Sequence, residues 1–195
     1  MATLQFVREA KDSNLLLLGV VEEGESARYT VNLSLFREIG MPSSGDELDS
    51  SQMSAIKYTD RLISAKKKAL NILAYADNSR KSLATKLYRA GFEREIIDEV
   101  CSEMVNLGYI NEKNQLERLL LNEANIKLRG PMKIIPSLVQ KGYSQSKIRE
   151  VLDNLVREGE IDFRENSKKL LEKKLSAPYD EEEAKKILYK NGFKI

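Results

Sequence analysis

A six-residue string ending in glycine and an aromatic residue returns twice along this chain, and the repetition narrows the possible folds more than any other feature. Leu87-Tyr88-Arg89-Ala90-Gly91-Phe92 reappears as Leu138-Val139-Gln140-Lys141-Gly142-Tyr143 and again as Leu188-Tyr189-Lys190-Asn191-Gly192-Phe193. Gly91 and Gly142 are 51 residues apart and Gly142 and Gly192 are 50 apart, a period typical of stacked helical units. Each string reads as a helix ending. The glycine takes the left-handed conformation just past the helix, and the aromatic residue folds back onto the leucine four positions before the glycine. The match continues beyond this clasp: Ile97 corresponds to Ile148, Val100 to Val151, Met104 to Leu155, Val105 to Val156, Gly108 to Gly159 and Ile110 to Ile161.

Composition limits the chemistry. With 195 residues, 42% hydrophobic and 32% charged, the chain can bury one or two cores and reads as globular. Its longest apolar run, Leu15 to Val21 interrupted by Gly19, falls far short of the roughly 20 residues that cross a bilayer, and no cationic leader precedes it. No membrane association and a cytoplasmic location are the expectations. The single cysteine excludes an intramolecular disulfide, and the absence of histidine removes the usual zinc sites and the commonest general base. Cys101 lies in an apolar stripe with no histidine to activate it, so it reads as a packed core thiol. There is no Gly-rich phosphate loop and no Ser/His/Asp set. No enzyme, cofactor, metal site or small-molecule substrate is therefore expected.

In chain order, residues 1–50 form a small antiparallel β unit. β-favouring runs occupy Leu4 to Arg8, Leu15 to Glu22 and Ala27 to Leu35, with a turn at Glu23-Gly24-Glu25-Ser26. So small a sheet needs a helix to lean on. Residues 51–110 make helical repeat 1. Its long first helix has Met53, Ile56, Ile63, Leu70 and Leu73 on one face, and helices of about residues 79 to 90 and 94 to 107 follow. The last carries Ile96, Ile97, Val100, Cys101, Met104, Val105 and Leu107 as a broad apolar stripe. Repeat 2, residues 111–161, opens with a helix of about 112 to 128 stopped by Gly130-Pro131. Its next helix contains Pro136, which predicts a late start or a kink. Residues 162–195 form an incomplete repeat 3, with a helix over Asn166 to Leu175, a break at Ala177-Pro178 and a capped restart at Asp180. The chain ends two residues past Phe193, so the third clasp is expected to lack a packing partner. The fold class is mainly α, with tandem three-helix repeats in an elongated, curved array behind the β unit.

Charge is unevenly placed. Residues 1–60 carry 5 Lys or Arg against 10 Asp or Glu, net −5; subtraction from the totals of 32 and 30 leaves 27 against 20, net +7, for residues 61–195. A basic helical part suits an acidic protein surface or nucleic acid. Lys66-Lys67-Lys68 and the lysines of 168–174 read as solvated faces, and Asp180 to Glu183 as helix-start electrostatics. Lys127, Arg129 and Lys133 flank Gly130, and a Gly-Pro corner there presents cations on a fixed edge. Three-helix units also resemble helix-turn-helix modules, so a tandem nucleic-acid-binding module is the alternative function. The helix after Gly91 opens with Glu93-Arg94-Glu95, which repels phosphate; the one after Gly142 carries Gln145, Lys147 and Arg149, which leaves contact with single- or double-stranded DNA open.

Taken together, Lys86-Leu87 with Gly91-Phe92, the run Leu107-Gly108-Tyr109-Ile110-Asn111-Glu112, and Arg129-Gly130-Pro131 with Ile134, Leu138 and Lys141-Gly142-Tyr143 resemble the RecX family of recombinase regulators over about residues 65 to 193. The resemblance implies a non-catalytic modulator that binds the RecA filament in its helical groove and inhibits recombination and the filament's co-protease role in DNA repair and the SOS response. It also implies a partner-binding set: Arg80, Lys81, Lys86 and Arg89 in the first repeat, and Lys127, Arg129, Lys133 and Lys141 in the second.

Overall fold

The computed structural model describes residues 2–11, 14–175 and 180–194. It contains two compact units, residues 1–74 with 86–103, and residues 75–85 with 104–195.

In the first unit, strands β1 (Ala2–Glu9), β2 (Leu15–Glu22), β3 (Glu25–Asn32) and β4 (Glu47–Leu48) form an antiparallel sheet in the order β3-β2-β1-β4. The two-residue strand β4 was not foreseen; it pairs with the start of β1 where the loop after Gly45 returns to the sheet. Gly19 interrupts the apolar run because the Phe6 ring lies across it, at a point where β1 shifts register. The third strand stops earlier than its alternation predicts. Leu33 and Leu35 belong to helix α1 (Leu33–Glu38), because the Asn32 side chain accepts a hydrogen bond from the Leu35 N–H at 2.7 Å and caps that helix.

The sheet leans on α2 (Ser50–Tyr75), started by a reciprocal cap in which Asp49 and Gln52 each accept the other's backbone N–H. Met53 and Ile56 close the core formed by Leu4, Leu18, Val20 and Val31. Farther along, α2 buries Ala65 and Ala69 instead, and Leu70 is exposed. Ile56 and Ala65 are nine residues apart and so, at ~100° per residue, face opposite ways. One helix thus serves two contacts, where the sequence suggested a single stripe. The C-terminal part of α3 (Arg80–Arg89) and most of α4 (Arg94–Asn106) complete this unit, with Leu87, Ile96, Ile97, Val100 and Cys101 buried. The expected stripe is too broad at its end, since Leu107 is 61% exposed.

The second unit contains α5 (Glu112–Leu121), α6 (Pro131–Gln140), α7 (Gln145–Arg157), α8 (Phe163–Lys174) and α9 (Glu181–Lys190). Nine α-helices are present among the described residues. Leu116, Leu120, Ile134, Leu138, Tyr143, Ile148, Leu155 and Ile161 share one core. The first helix of repeat 2 does not run regularly to 128: it ends at Leu121 and continues as a π-helical turn, Asn122–Ile126. α6 begins at Pro131, so Pro136 causes no late start. Capped by Asp162, α8 begins three residues before its expected start, and Asp180 caps α9 by accepting the Glu183 N–H. The proposed break at Ala177-Pro178 lies outside the described residues.

Repeat-equivalent positions share environments. Ile97 and Ile148, Met104 and Leu155, and Ile110 and Ile161 are all buried, while Val105 and Val156 are 40% and 44% exposed. All three clasps form. The N–H of Phe92, Tyr143 and Phe193 reaches the carbonyl of Leu87, Leu138 and Leu188 at 3.3, 3.2 and 3.0 Å. Each preceding glycine has a φ between +85° and +94°. The third clasp does have a partner: Phe193 is buried with Leu128 and Leu170, and Leu188 packs against them.

Candidate partner-binding surface

Helix ends organise the second unit. Ser79 caps α3 by accepting the Ser82 N–H at 3.1 Å, and its hydroxyl donates to the Lys141 carbonyl at the end of α6 at 3.0 Å. The C-terminus of α6 therefore docks on the N-terminus of α3. The same arrangement recurs one repeat later. The Gly130 and Met132 N–H groups donate to the carbonyls of Asn191 and Gly192, at 2.8 and 3.1 Å, seating the end of α9 on the start of α6. The physical logic is complementary, since a helix start offers unused N–H groups and a helix end offers unused carbonyls.

Both joints admit only glycine at the docking clasp. A Cβ on Gly142 would lie 2.6 Å from Ser79 Oγ, and one on Gly192 would lie 2.6 Å from the Lys133 backbone nitrogen. Gly91, in the first unit, meets nothing within 4 Å. Its carbonyl accepts instead from Arg61, whose guanidinium lies 4.9 Å from the Phe92 ring centre and pairs with Glu93 at 3.2 Å. A single side chain thus satisfies there what a helix start satisfies in the other two cases.

These joints place six of the eight cations expected to contact a partner. Arg80 and Lys81 open α3 and lie beside Lys141; Arg129 and Lys133 flank Gly130, with Lys127 just before them. Because α6 separates the two joints by ten residues, the groups sit about 15 Å apart at its two ends. Lys86 and Arg89 lie exposed in the last turn of α3, in the first unit.

Several of these residues also hold the fold. The Arg80 N–H donates to Glu112 Oε1 at 3.0 Å, while Glu112 Oε2 accepts from Lys147 at 2.9 Å. Lys127 and Arg129 pair with the two oxygens of Glu123 at 2.6 and 2.5 Å, and the Glu123 side chain is only 2% exposed. Burial raises its carboxyl, but the bonds from Lys127 and Arg129 outweigh this and leave it below the usual range. Glu123 was not singled out from the sequence. Its signal was a carboxylate in an apolar stripe with lysine four residues on. Lys133 reaches the Lys190 carbonyl at 3.3 Å.

Open clefts line the same unit. One of about 440 Å³ is bounded by Arg80, Ile110, Glu112, Lys113 and Lys147. Among the described residues, no group of three or more Cys, Asp or Glu is placed to hold a metal, and no helix is long and apolar enough to cross a membrane.

Comparison with known proteins adds identity to this geometry. The family model for the first three-helix domain of RecX matches residues 65–104. A regulatory protein RecX from Clostridioides difficile (strain 630) is 30% identical over 162 residues, covering 83% of this chain and 70% of that protein. The RecX of Caldanaerobacter subterraneus subsp. tengcongensis is 29% identical over 177 residues, with coverage of 89% and 85%. That of Bacillus cytotoxicus is 26% identical over 152 residues, and the match spans 55% of its length. A crystal structure of a regulatory protein RecX superposes with a TM-score of 0.73 at 22% identity, over 100% of this chain and 95% of that one. The RecX of Lactobacillus salivarius gives 0.59 at 24% identity, over 69% and 90%. At such identities the structures speak for the fold alone.

Proposed function

We propose a function from one premise: this chain belongs to the RecX family of regulatory proteins. It acts as a regulator of RecA, without catalysis of its own, in the cytoplasm where that partner works. It does so by lying in the helical groove of the RecA filament on single-stranded DNA, which lowers strand exchange and the filament's co-protease activity during repair and the SOS response.

The observation that supports this reading is the recurrence of one joint at both ends of α6, each carrying cations, about 15 Å apart. A filament offers the same patch on every protomer. A ligand that repeats its own surface makes several weak contacts, each raising the effective concentration of the next. Arg80, Lys81 and Lys141 at one joint, and Lys127, Arg129 and Lys133 at the other, are the residues proposed to meet acidic patches of the filament; Lys86 and Arg89 extend the set. The test is RecA's DNA-dependent ATP turnover, expected to fall when this protein is added below one copy per RecA. An unchanged rate at equimolar protein counts against the reading.

Direct DNA contact is a second reading, supported by Gln145, Lys147 and Arg149 at the exposed start of α7. It expects binding to naked single-stranded DNA that weakens steeply with salt, since each neutralised phosphate releases counterions. Weak binding already at low salt removes it.

A further inference from the structure

The corner between α5 and α6 is built more tightly than a loop needs to be. In the π-helical turn the Lys127 N–H reaches back five residues to the Asn122 carbonyl at 3.0 Å. Leu128 then takes φ +50°, a left-handed value unusual for a branched side chain. It is held there by burial against Leu170 and Phe193. This reversal brings Arg129 back to Glu123: its N–H meets the Glu123 carbonyl at 3.0 Å and its guanidinium meets the carboxylate. A conformation that costs energy and persists is held by everything around it, and such corners concentrate at functional positions. Farther along, the Asn125 amide donates to the Glu160 carbonyl and its oxygen accepts from Asn166, each at 2.8 Å, tying the corner to the start of α8.

The two cations are anchored at the base and open at the tip. Lys127 and Arg129 each spend one side-chain hydrogen bond on Glu123, yet their side chains remain 44% and 32% exposed. An ammonium has three donors and a guanidinium five, so most remain for a ligand. A free lysine or arginine gives up rotamer entropy when a partner orders it; here folding has already done so.

We propose that Glu123 is a positioning residue for partner recognition: it presents Lys127 and Arg129 as a pre-ordered pair whose outer donors take a carboxylate from an acidic segment of the partner protein. The inference rests on the regulatory reading above and deepens it. Net charge favours a carboxylate over a nucleic-acid backbone. The triad carries two positive charges and one negative, so its cations are already partly neutralised, which weakens the counterion release that drives phosphate binding. A short-range bonded contact depends less on that drive.

The substitution E123Q separates geometry from charge, because it makes the corner more positive by one unit while removing the anchor. Affinity for RecA filaments on single-stranded DNA is measured with dye-labelled protein, and thermal melting checks the fold. E123Q is expected to bind about tenfold more weakly despite its added charge, and in a K127A/R129A background it is expected to leave the residual affinity unchanged. Binding by E123Q equal to or tighter than that of the natural protein overturns the inference and leaves the regulatory reading standing, as does a further loss in the K127A/R129A background. No filament binding by the natural protein overturns both. Should E123Q fail to fold, E123D keeps the charge and draws the carboxylate back by one methylene. Weaker filament binding at an unchanged melting temperature then supports the inference, and unchanged binding overturns it.

Discussion

An alanine at position 142 or 192 meets two obstacles where one at position 91 meets a single one. All three glycines have a left-handed φ, which costs an L-residue about 1 kcal/mol. At 142 and 192 the new methyl also collides with the helix start on which the clasp is seated, and at 192 the obstructing atoms include backbone. We expect G91A to cost about 1 kcal/mol and G142A and G192A about 2–4 kcal/mol each in urea unfolding. Equal costs would mean that the joints are looser than the docked helix ends require. Tyr143 offers a second test at this scale. Its hydroxyl donates to Gln115 Oε1 at 2.9 Å, and burial above all, followed by the nearby Asp77 and Glu112, pushes its phenol up to about 12. A group with a raised folded value stabilises fully below its unfolded value, here near 10, and that contribution is lost as pH rises towards 12. Y143F is expected to cost about 1 kcal/mol at pH near 8 through the lost hydrogen bond. The gap should shrink as pH rises through this window, and a constant gap contradicts the assignment.

Elements show where the chain's pattern could be followed and where it could not. The repeated clasps and the stripes of α4 and α7 were legible, because a glycine needing positive φ and an apolar period of 3.6 are both written in residue type. α1 was not, since Leu33 and Leu35 fit a strand's alternation as well as a helix start. The decision fell to one hydrogen bond from Asn32. N32A is expected to cost about 1 kcal/mol, read as an earlier thermal midpoint. The π turn was invisible because a single extra residue barely disturbs an apolar stripe, and the two-sided burial of α2 because Ala65 and Ala69 carry little hydrophobic signal. The cationic corner was legible as composition. The buried carboxylate beneath it was legible only as one half of an i,i+4 pair with Lys127, because the chain reversal at Leu128 is what brings Arg129 to a residue six positions back. Its carboxyl sits below the usual range, so its stabilisation is present at neutral pH and lost as pH falls through the lowered value. E123Q is expected to cost about 1–2 kcal/mol at pH 7, discounted for the exposure of both cations. That cost should fade on acidification; one independent of pH contradicts the clamp.

At the scale of the molecule, a supersecondary unit is used repeatedly, with a helix end seated on the helix start one repeat earlier and cations gathered at each joint. Membership of the RecX family gives that surface its proposed target, a polymer that repeats as the chain does. Cys101 is buried, in keeping with a structural thiol. The most direct measurement is co-sedimentation with RecA filaments of the natural protein and a variant carrying K127E, R129E and K133E, with thermal melts as the fold control. We expect the natural protein to pellet with filaments and the folded variant to stay in solution. A natural protein left in the supernatant, or a reversed-charge variant that pellets equally, contradicts the account.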